Sequence, residues 1–348
     1  MAAATTPTGD RAAAAPATQM RAVVQRGYGT ADVLHVGDVD RPTIAADEVL
    51  VQVRAAGLDR GTWHLMAGFP YAVRLVTGLR TPRRAVPGID VAGTVVAVGS
   101  EVTRFRLGDE VFGIGRGTFA ELTAAKERKL AAKPPRLTFE QAAALPVSGL
   151  TALGALDVGG LARGQHVLVI GASGGVGTHA VQIAKASGAT VTGVSSTAKL
   201  DLVRSLGADH VVDYTRDDFA AGGKRYDLIL DIGGNAPLSR LRRALTRRGT
   251  LVIVGGEGGG RWTGMSRQLR ALASSPFVRQ RLKMIVAKEH HDGLDRLAVL
   301  VEDGRVTPEV ERTYPLHEAA DAMRHLVAGQ ARGKLVITVS PAPPPTRS

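Results

Sequence analysis

A glycine-rich stretch in the middle of the chain carries the residue types best suited to binding a phosphate. Its sequence, GASGGVG at residues 171–177, follows an apolar run and precedes an amphipathic one. Strand, tight turn and helix are the context that a phosphate loop requires, because glycines let a pyrophosphate approach the main chain and the helix N-terminus offers unpaired N–H groups. When this stretch is aligned with the dinucleotide-binding pattern G-x-G-x-x-G, Ala172 occupies the position of the first glycine. The residues predicted to bind the pyrophosphate are Gly174, Gly175, Val176 and Gly177.

Two other interpretations fit the same residues. The stretch could be a purely structural turn between a strand and a helix. It also matches G-x-S-x-G, the nucleophile elbow of hydrolases, with Ser173 as nucleophile. Nothing upstream resembles the oxyanion loop that such a hydrolase uses, so the dinucleotide interpretation is favoured.

The next predicted strand, at 189–196, ends where a dinucleotide site recognises the adenosine ribose. An Asp or Glu there would bind the 2′-hydroxyl and repel a 2′-phosphate, but the chain has Ser195, Ser196 and Thr197, followed by Lys199. Hydroxyl donors and a cation favour NADPH over NADH. A charge-assisted hydrogen bond of about 1.5–3 kcal/mol would give a roughly ten- to hundredfold preference. The alternative for Lys199 is a solvated helix residue.

Composition limits the function classes. The 348 residues carry a formal net charge of +12 and contain no cysteine, which excludes disulfides, thiolate zinc sites and a cysteine nucleophile. No apolar run approaches the length of a membrane span. We expect a cytoplasmic protein whose positive charge serves a solvated surface and a phosphate site. Nucleic acid is not predicted as a partner, because no aromatic platform accompanies the charge.

The order of predicted elements indicates an α/β protein of two domains. Residues 20–144 are predicted as short strands of a β-rich domain, completed by 289–340, and 145–288 alternate strand and helix as in a doubly wound parallel sheet. We expect disorder in 1–19 and a loose tail at 341–348. The basic segment 261–281 is predicted as a helical lobe beside the cofactor cleft, with contact to a membrane surface as the disfavoured alternative.

Several landmarks together resemble the medium-chain dehydrogenase/reductase superfamily, in its zinc-independent quinone oxidoreductase branch. PGIDVAG at 87–93 with GDEV at 108–111 resembles one family signature, and GTFAE at 117–121 resembles another. Gly333-Lys334 matches a later landmark. The resemblance implies a GroES-like catalytic domain, a Rossmann NADP-binding domain and a homodimer. Zinc-binding members of the superfamily have a Cys and a His-Glu pair. This chain has no cysteine, and Ile89 and Asp90 occupy the positions of the His and the Glu. No metal is therefore predicted. The neighbouring His290 and His291 are predicted as surface residues.

The resemblance also implies roles for individual residues. Ser196 and Lys199 would hold the 2′-phosphate, and Tyr214 would pack near the adenine. Residues expected near the nicotinamide and the rest of the cofactor are Thr151, Gly255, Gly256 and Lys334. On the substrate side, the family often has Asn, Asp and Tyr where this chain has Asp59, Thr62 and His64.

The predicted reaction is therefore NADPH-dependent hydride transfer to a quinone or an α,β-unsaturated carbonyl, since the cofactor carries the difficult chemistry. Asp59, His64 and Tyr71 are the candidate catalytic residues, with Trp63 beside them, and His64 or water is the proposed proton donor. The alternative is a non-catalytic NADPH-binding or membrane-associated protein on the same fold.

Overall fold

The computed structural model describes residues 18–234, 236–255, 271, 278–285 and 288–339. Residues 1–17 of the predicted N-terminal tail, the predicted C-terminal tail, Gly256 and most of 261–281 lie outside these ranges, whereas Gln19, predicted as part of the tail, begins the first strand. Within them, no helix is long and apolar enough to cross a bilayer.

The first part of the chain is rich in β-strands, as predicted. Its strands are β1 (Gln19–Val24), β2 (His35–Asp40), β3 (Glu48–Leu58), β4 (Asp90–Val98), β5 (Glu110–Ile114), β6 (Leu122–Lys126) and β7 (Leu130–Ala132). Its helices are α1 (Arg60–Ala67), α2 (Arg74–Thr77), α3 (Phe139–Ala143) and α4 (Pro146–Gly159).

The second part alternates strand and helix. Its strands are β8 (His166–Ile170), β9 (Thr190–Ser195), β10 (His210–Asp213), β11 (Tyr226–Asp231), β12 (Leu245–Ile253) and β13 (Arg281–Met284). The described helices between them are α5 (Gly175–Ala186), α6 (Leu200–Ser205) and α7 (Leu238–Ala244). The chain ends with α8 (His291–Glu302), β14 (Val310–Pro315), α9 (Ala319–Val327) and β15 (Lys334–Thr338).

Six parallel strands form the sheet of the second part, in the order β10-β9-β8-β11-β12-β13. This is the doubly wound order, in which the strand sequence reverses direction beside β8, and ligands bind outside the carboxyl ends of the strands at that point. The strands read as apolar runs because helices cover both faces, and Leu168, Leu228 and Leu230 are fully buried.

The other large sheet combines strands from both ends of the chain. Its order is β14-β15-β3-β4-β5-β7, with β6 paired to β3, while β1 and β2 form a separate hairpin. β15 runs antiparallel to β3, with Leu335 opposite Leu58. The last strand therefore returns to the first domain, and one apolar cluster joins Val336 of this sheet to Val169 and Val181 of the other unit.

The sequence prediction was wrong in one place. It described the region after β3 as strands and turns, whereas α1 and α2 lie there. α1 begins because the Asp59 side chain caps it and ends at Gly68, whose φ of 66° is left-handed.

Candidate functional site

The turn between β8 and α5 is built from glycines that sterics require. Gly171 has a φ of 87°, a backbone conformation that other residues rarely adopt. A Cβ at Gly177 would lie 2.1 Å from the carbonyl oxygen of Gly171, so the helix packs on the turn only with glycine there. Both positions force the chain to turn sharply at the carboxyl edge of β8.

The same turn leaves an open cradle at the helix N-terminus. A Cβ at Gly174 would meet only the Gly171 carbonyl oxygen, 3.7 Å away, and no side chain caps α5. The first N–H groups of a helix have no acceptor within the helix, and the dipole there favours negative charge. The cradle therefore fits a pyrophosphate on the N–H groups of Gly175, Val176 and Gly177.

The edge next to this turn brings Ser195, Ser196 and Tyr214 together. Ser195 ends β9 and its carbonyl accepts a hydrogen bond from the Tyr214 N–H at 3.1 Å. The Tyr214 side chain is 62% exposed, which leaves its ring accessible for stacking. Sequence reasoning missed Asp213, whose carboxylate accepts hydrogen bonds from the hydroxyls of Thr197 and Thr215. These bonds hold the pKa of Asp213 below its ordinary value and fix the turn after Ser196.

Lys199 does not extend freely into solvent. Its ammonium donates to the carbonyl oxygens of Gly329 and Ala331, both at 2.8 Å, and burial lowers its pKa. An ammonium has three N–H donors, so one remains for a ligand. Arg332, which sequence reasoning did not select, lies beside it and donates to the Ala198 carbonyl oxygen at 3.1 Å. Its place directly before Gly333-Lys334 was the signal that could have found it.

Two residues predicted near the nicotinamide have defined local geometry. The Thr151 hydroxyl donates to the Val147 carbonyl oxygen at 2.6 Å, so its oxygen is left as an acceptor. A Cβ at Gly255 would lie 2.0 Å from the Ile232 carbonyl oxygen, which excludes a side chain at the end of β12. Gly256 lies outside the described residues.

A buried charge cluster lies between the two sheets. The Lys334 Nζ is 3.0 Å from Asp90 Oδ2 and 4.0 Å from Asp59 Oδ2. The three residues are 2%, 0% and 8% exposed, respectively. Two carboxylates face one ammonium. The strand register brings them together, because Leu58 pairs with Leu335 and their neighbours Asp59 and Lys334 are thereby adjacent.

The cluster supports the phosphate turn directly. A Cβ at Gly175 would lie 2.8 Å from the Lys334 Cδ, so the lysine stem packs under the start of α5. Asp90 Oδ1 accepts a hydrogen bond from the Val147 N–H at 2.8 Å, which joins β4 to α4. The Gly333 N–H donates to the Ser173 carbonyl at 2.8 Å. These contacts fix the GroES-like region against the turn that follows β8.

Burial changes the protonation of two groups in this region. It raises the pKa of Asp90 from 3.8 to about 7, against the opposing effect of Lys334 and with a smaller contribution from the negative charge of Asp59. It lowers the pKa of His179 to about 4, so this imidazole, whose Nδ1 lies 2.7 Å from the Gly175 carbonyl oxygen, is neutral near pH 7. A neutral His179 donates from Nδ1 to that carbonyl, which is a structural contact within α5.

Asp59, predicted as a catalytic residue, is first of all the cap of α1. Its Oδ1 accepts a hydrogen bond from the Thr62 N–H at 2.8 Å. Its Oδ2 is buried and accepts no hydrogen bond from the described residues, with the Lys334 ammonium 4.0 Å away. A buried carboxylate oxygen without a donor is unfavourable, so this atom is suited to accept a hydrogen bond from a bound ligand.

His64 and Tyr71 lie on the following turns and make structural contacts. The His64 Nδ1 lies 2.8 Å from the Phe69 carbonyl oxygen, and its ring contacts Trp63 at 4.7 Å between centroids. Because a carbonyl only accepts, Nδ1 carries the proton, and a neutral His64 has none on Nε2 to donate. The Tyr71 ring lies 4.9 Å from the Arg74 guanidinium. Both residues therefore lie on or just after α1.

A cavity of about 560 Å³ opens next to α1. Thr62 and Ile89 line it. Ile89 directly precedes Asp90 of the charge cluster, and the Thr62 N–H donates to the Asp59 side chain. Its wall continues through Leu65, Val86 and Ile114 toward a basic rim. None of the three predicted catalytic side chains lines this cavity, so sequence reasoning missed the residues that form it.

The hydrolase interpretation finds no support in the described residues. Ser173 is 7% exposed, and no histidine there makes a hydrogen bond to its hydroxyl. A serine nucleophile needs a base within hydrogen-bond reach.

Comparison with known proteins adds independent observations. Residues 45–135 match the family model described as alcohol dehydrogenase GroES-like domain, and residues 206–337 match the model described as zinc-binding dehydrogenase. A chloroplast envelope quinone oxidoreductase homolog of Arabidopsis thaliana is 32% identical over 89% of this chain and 95% of its own length. The chain belongs to the medium-chain dehydrogenase/reductase superfamily.

Two further members of the superfamily are similar along most of the chain. A chloroplastic NADPH-dependent alkenal/one oxidoreductase of Arabidopsis thaliana is 33% identical over 92% of this chain and 79% of its own length. The solved structure of the quinone oxidoreductase from Coxiella burnetii superposes with a TM-score of 0.81 and 30% identity, and covers 92% of this chain and 100% of its own. The superfamily fold, a GroES-like domain with a Rossmann domain, is the one predicted from the sequence.

Zinc, named in one family model, does not fit the residues at its expected position in this member of the superfamily. Ile89 is apolar, and the Asp90 carboxylate is bound to the Lys334 ammonium and the Val147 N–H. In the described residues, His290, His291 and Asp292 do form a group of potential ligands. The centroids of the two imidazole rings lie 4.3 Å apart. This group lies at the start of α8, where the helix dipole opposes a cation.

Proposed function

We propose that this protein is an oxidoreductase that uses NADPH to reduce a quinone or an α,β-unsaturated carbonyl compound. The observation that carries the proposal is the carboxyl edge of the six-stranded sheet. There an uncapped helix N-terminus faces an open glycine turn, and the next strand ends in hydroxyl donors rather than a carboxylate. The similarity to the Arabidopsis alkenal/one oxidoreductase and the Coxiella quinone oxidoreductase supports the same substrate classes.

The choice of NADPH is based on the residues after β9. Ser195, Ser196 and the remaining donor of Lys199 would bind the 2′-phosphate, and Tyr214 would stack on the adenine. Asp213 is the nearest carboxylate on the adjoining strand, but Thr197 and Thr215 occupy its oxygens. The edge is therefore suited to a phosphate, because the Asp213 carboxylate is already paired with hydroxyls.

The remaining residues would orient the nicotinamide end. When bound, NADPH supplies the hydride, and the protein has to position the cofactor and the acceptor. Thr151 and the close turn at Gly255 border the nicotinamide position in this proposal. The unpaired Asp59 Oδ2 would accept a hydrogen bond from the ribose or the amide. The acceptor would enter the cavity lined by Thr62 and Ile89, where Leu65, Val86 and Ile114 offer apolar contacts.

The proton required after hydride transfer has two sources in this proposal. His64 can donate from Nε2 only as the imidazolium, because its other nitrogen bonds the Phe69 carbonyl. Water at the cavity mouth has no such restriction. A rate that falls with rising pH and loses that dependence in His64→Gln would assign the step to His64.

The test is a titration with NADPH and with NADH by intrinsic fluorescence, followed by turnover on a panel of quinones and enones. Lys199→Gln keeps a hydrogen-bond donor for the Gly329 and Ala331 carbonyls but removes the charge. We expect NADPH affinity to fall about ten- to hundredfold, by analogy with other charge-assisted bonds, with NADH affinity unchanged. Lys224→Ala, an exposed lysine on the same domain, is the matched control.

The outcomes separate the interpretations. An equal loss for both nucleotides would mean that Lys199 only holds the 329–331 loop. NADPH binding without turnover on any acceptor would favour the non-catalytic NADPH-binding alternative. Absence of nucleotide binding in the unmodified protein would overturn both.

A further inference from the structure

Three bulky apolar side chains project into solvent from one short segment. Leu75, Val76 and Leu79 are 70%, 76% and 69% exposed. They belong to residues 74–84 (RLVTGLRTPRR), which include α2 and the turn after it. Single exposed apolar residues are ordinary, but a cluster of this kind marks an interaction surface.

The segment is anchored from the inside. Its Thr77 hydroxyl lies 2.7 Å from the Tyr28 hydroxyl, which also donates to the Gly78 carbonyl oxygen at 2.6 Å. Arg74 donates from Nε to the Gly68 carbonyl at 3.0 Å, and the Arg83 N–H donates to the Thr77 carbonyl at 2.7 Å. The outward direction of the apolar side chains is thus a property of a well-bonded turn.

The charged residues of the sequence stretch that contains these side chains are all basic. Between Asp59 and Asp90 the sequence contains no acidic residue, whereas Arg80, Arg83 and Arg84 follow the apolar cluster directly. All three arginines are exposed, and none forms an ion pair in the part of the chain that is described. Apolar side chains beside unpaired cations are the pattern by which proteins bind the surface of an anionic bilayer.

The segment also forms the mouth of the cavity beside α1. Val76, Thr77, Pro82, Arg83 and Arg84 line the same space as Thr62 and Ile89. A membrane or a protein that bound this segment would therefore cover the entrance of the cavity. Two copies of the segment facing each other would instead bring their arginines together, which like charges oppose.

We propose that residues 74–84 dock on the surface of an anionic lipid bilayer, with Leu75, Val76 and Leu79 inserted among the headgroups and Arg80, Arg83 and Arg84 at the lipid phosphates. In this position the cavity opens toward the bilayer, so a lipophilic acceptor can pass from the membrane into the site. This surface is separate from the cofactor edge, and its docking does not require turnover.

The test is co-sedimentation of the full chain with vesicles of phosphatidylcholine alone and of phosphatidylcholine with phosphatidylglycerol. We expect binding to the mixed vesicles that falls at least tenfold in Leu75→Ser/Val76→Ser/Leu79→Ser. The matched control is Leu107→Ser/Val299→Ser, which removes apolar side chains that are 68% and 59% exposed elsewhere on the surface and should leave binding unchanged. Arg80→Gln/Arg83→Gln/Arg84→Gln should remove the preference for the anionic vesicles.

NADPH binding, followed by fluorescence, reports that each variant is folded. Equal vesicle binding by the serine variant and its control would overturn the proposal, as would equal binding to both vesicle types. The unmodified protein could instead form a dimer in light scattering, lose that dimer in the serine variant, and show no vesicle binding. This result would assign the segment to self-association and would also overturn the membrane proposal.

Discussion

The carboxyl edge of the six-stranded sheet and the segment after β3 both carry predicted site residues, but the two regions form their contacts differently. At the sheet edge the backbone forms the cradle: Gly171 is required by its own left-handed φ, and Gly177 by its close contact with the Gly171 carbonyl oxygen. After β3, side chains rather than backbone groups make the contacts that define the region. Asp59 caps α1, and His64 lies against the Phe69 carbonyl. A site made of backbone is therefore readable from residue spacing, whereas a site made of side chains depends on what else those side chains contact.

Lys334 belongs to both regions, so its removal should have the largest effect. Lys334→Met leaves Asp90 and Asp59 buried with no cation between them. We expect the free energy of unfolding to fall by about 3–5 kcal/mol, as measured by urea denaturation. The double variant Lys334→Met/Asp90→Asn should recover part of the loss. A loss below about 1 kcal/mol, the range of surface pairs, would show that the cluster does not support the interface.

The pH dependence of stability should reveal the raised pKa of Asp90. With a folded pKa of about 7 and an ordinary value of 3.8, the folded state holds a proton that the unfolded state releases. The stability from this proton is present below pH 3.8 and is lost as pH rises toward 7, at no more than about 1.4 kcal/mol per pH unit. Denaturation between pH 4 and 8 should show this decline in the unmodified protein and a smaller one in Asp90→Asn. If the free energy of unfolding has the same pH dependence in both proteins, the prediction for Asp90 is contradicted.

Gly177→Ala and Gly174→Ala test two glycines at the sheet edge, one with no room for a Cβ and one with open space. Its Cβ would meet the Gly171 carbonyl oxygen at 2.1 Å, so we expect a loss of about 1–3 kcal/mol in unfolding free energy together with weaker nucleotide binding. Gly174→Ala, with 3.7 Å of clearance, should unfold like the unmodified protein. If both variants behave alike in thermal denaturation, the tight packing of α5 on the turn is not what fixes the site.

Substitutions of Asp59 should have the smallest effect on stability and decide its role. Asp59→Ser keeps a capping oxygen, whereas Asp59→Ala removes it and should cost about 1 kcal/mol in unfolding free energy. If Asp59 Oδ2 contacts the cofactor, Asp59→Ser should keep stability but weaken NADPH binding in a fluorescence titration. Unchanged binding in the serine variant would assign Asp59 to helix capping alone.

The strand order and the phosphate turn could be predicted because each depends on short-range patterns. The apolar runs ending at Ile170 and Asp231 read directly as buried parallel strands. The helix α1 was missed, although Asp59 and Gly68 are a usual cap pair, because the apolar residues between them are few. The region 20–144 was predicted as continuous strands and turns for that reason.

The charge cluster could not be predicted from the sequence. Asp59, Asp90 and Lys334 are far apart along the chain, and only the register of β15 on β3 and of β4 on β3 makes them neighbours. The same holds for Lys199, whose two carbonyl partners belong to the loop before β15. Spacing identified these residue types, but their partners are set by tertiary packing.

The packing of Lys334 beneath Gly175 has a consequence for protein synthesis. Ribosomes make the chain from its N-terminus, so the glycine turn emerges long before the strand that supports it. Until that strand has been translated, the first sheet lacks β15 and the turn lacks the lysine stem below its helix. Full affinity for the nucleotide should therefore arise only after β15 has been translated, which makes cofactor capture a signal that this strand has joined the first sheet.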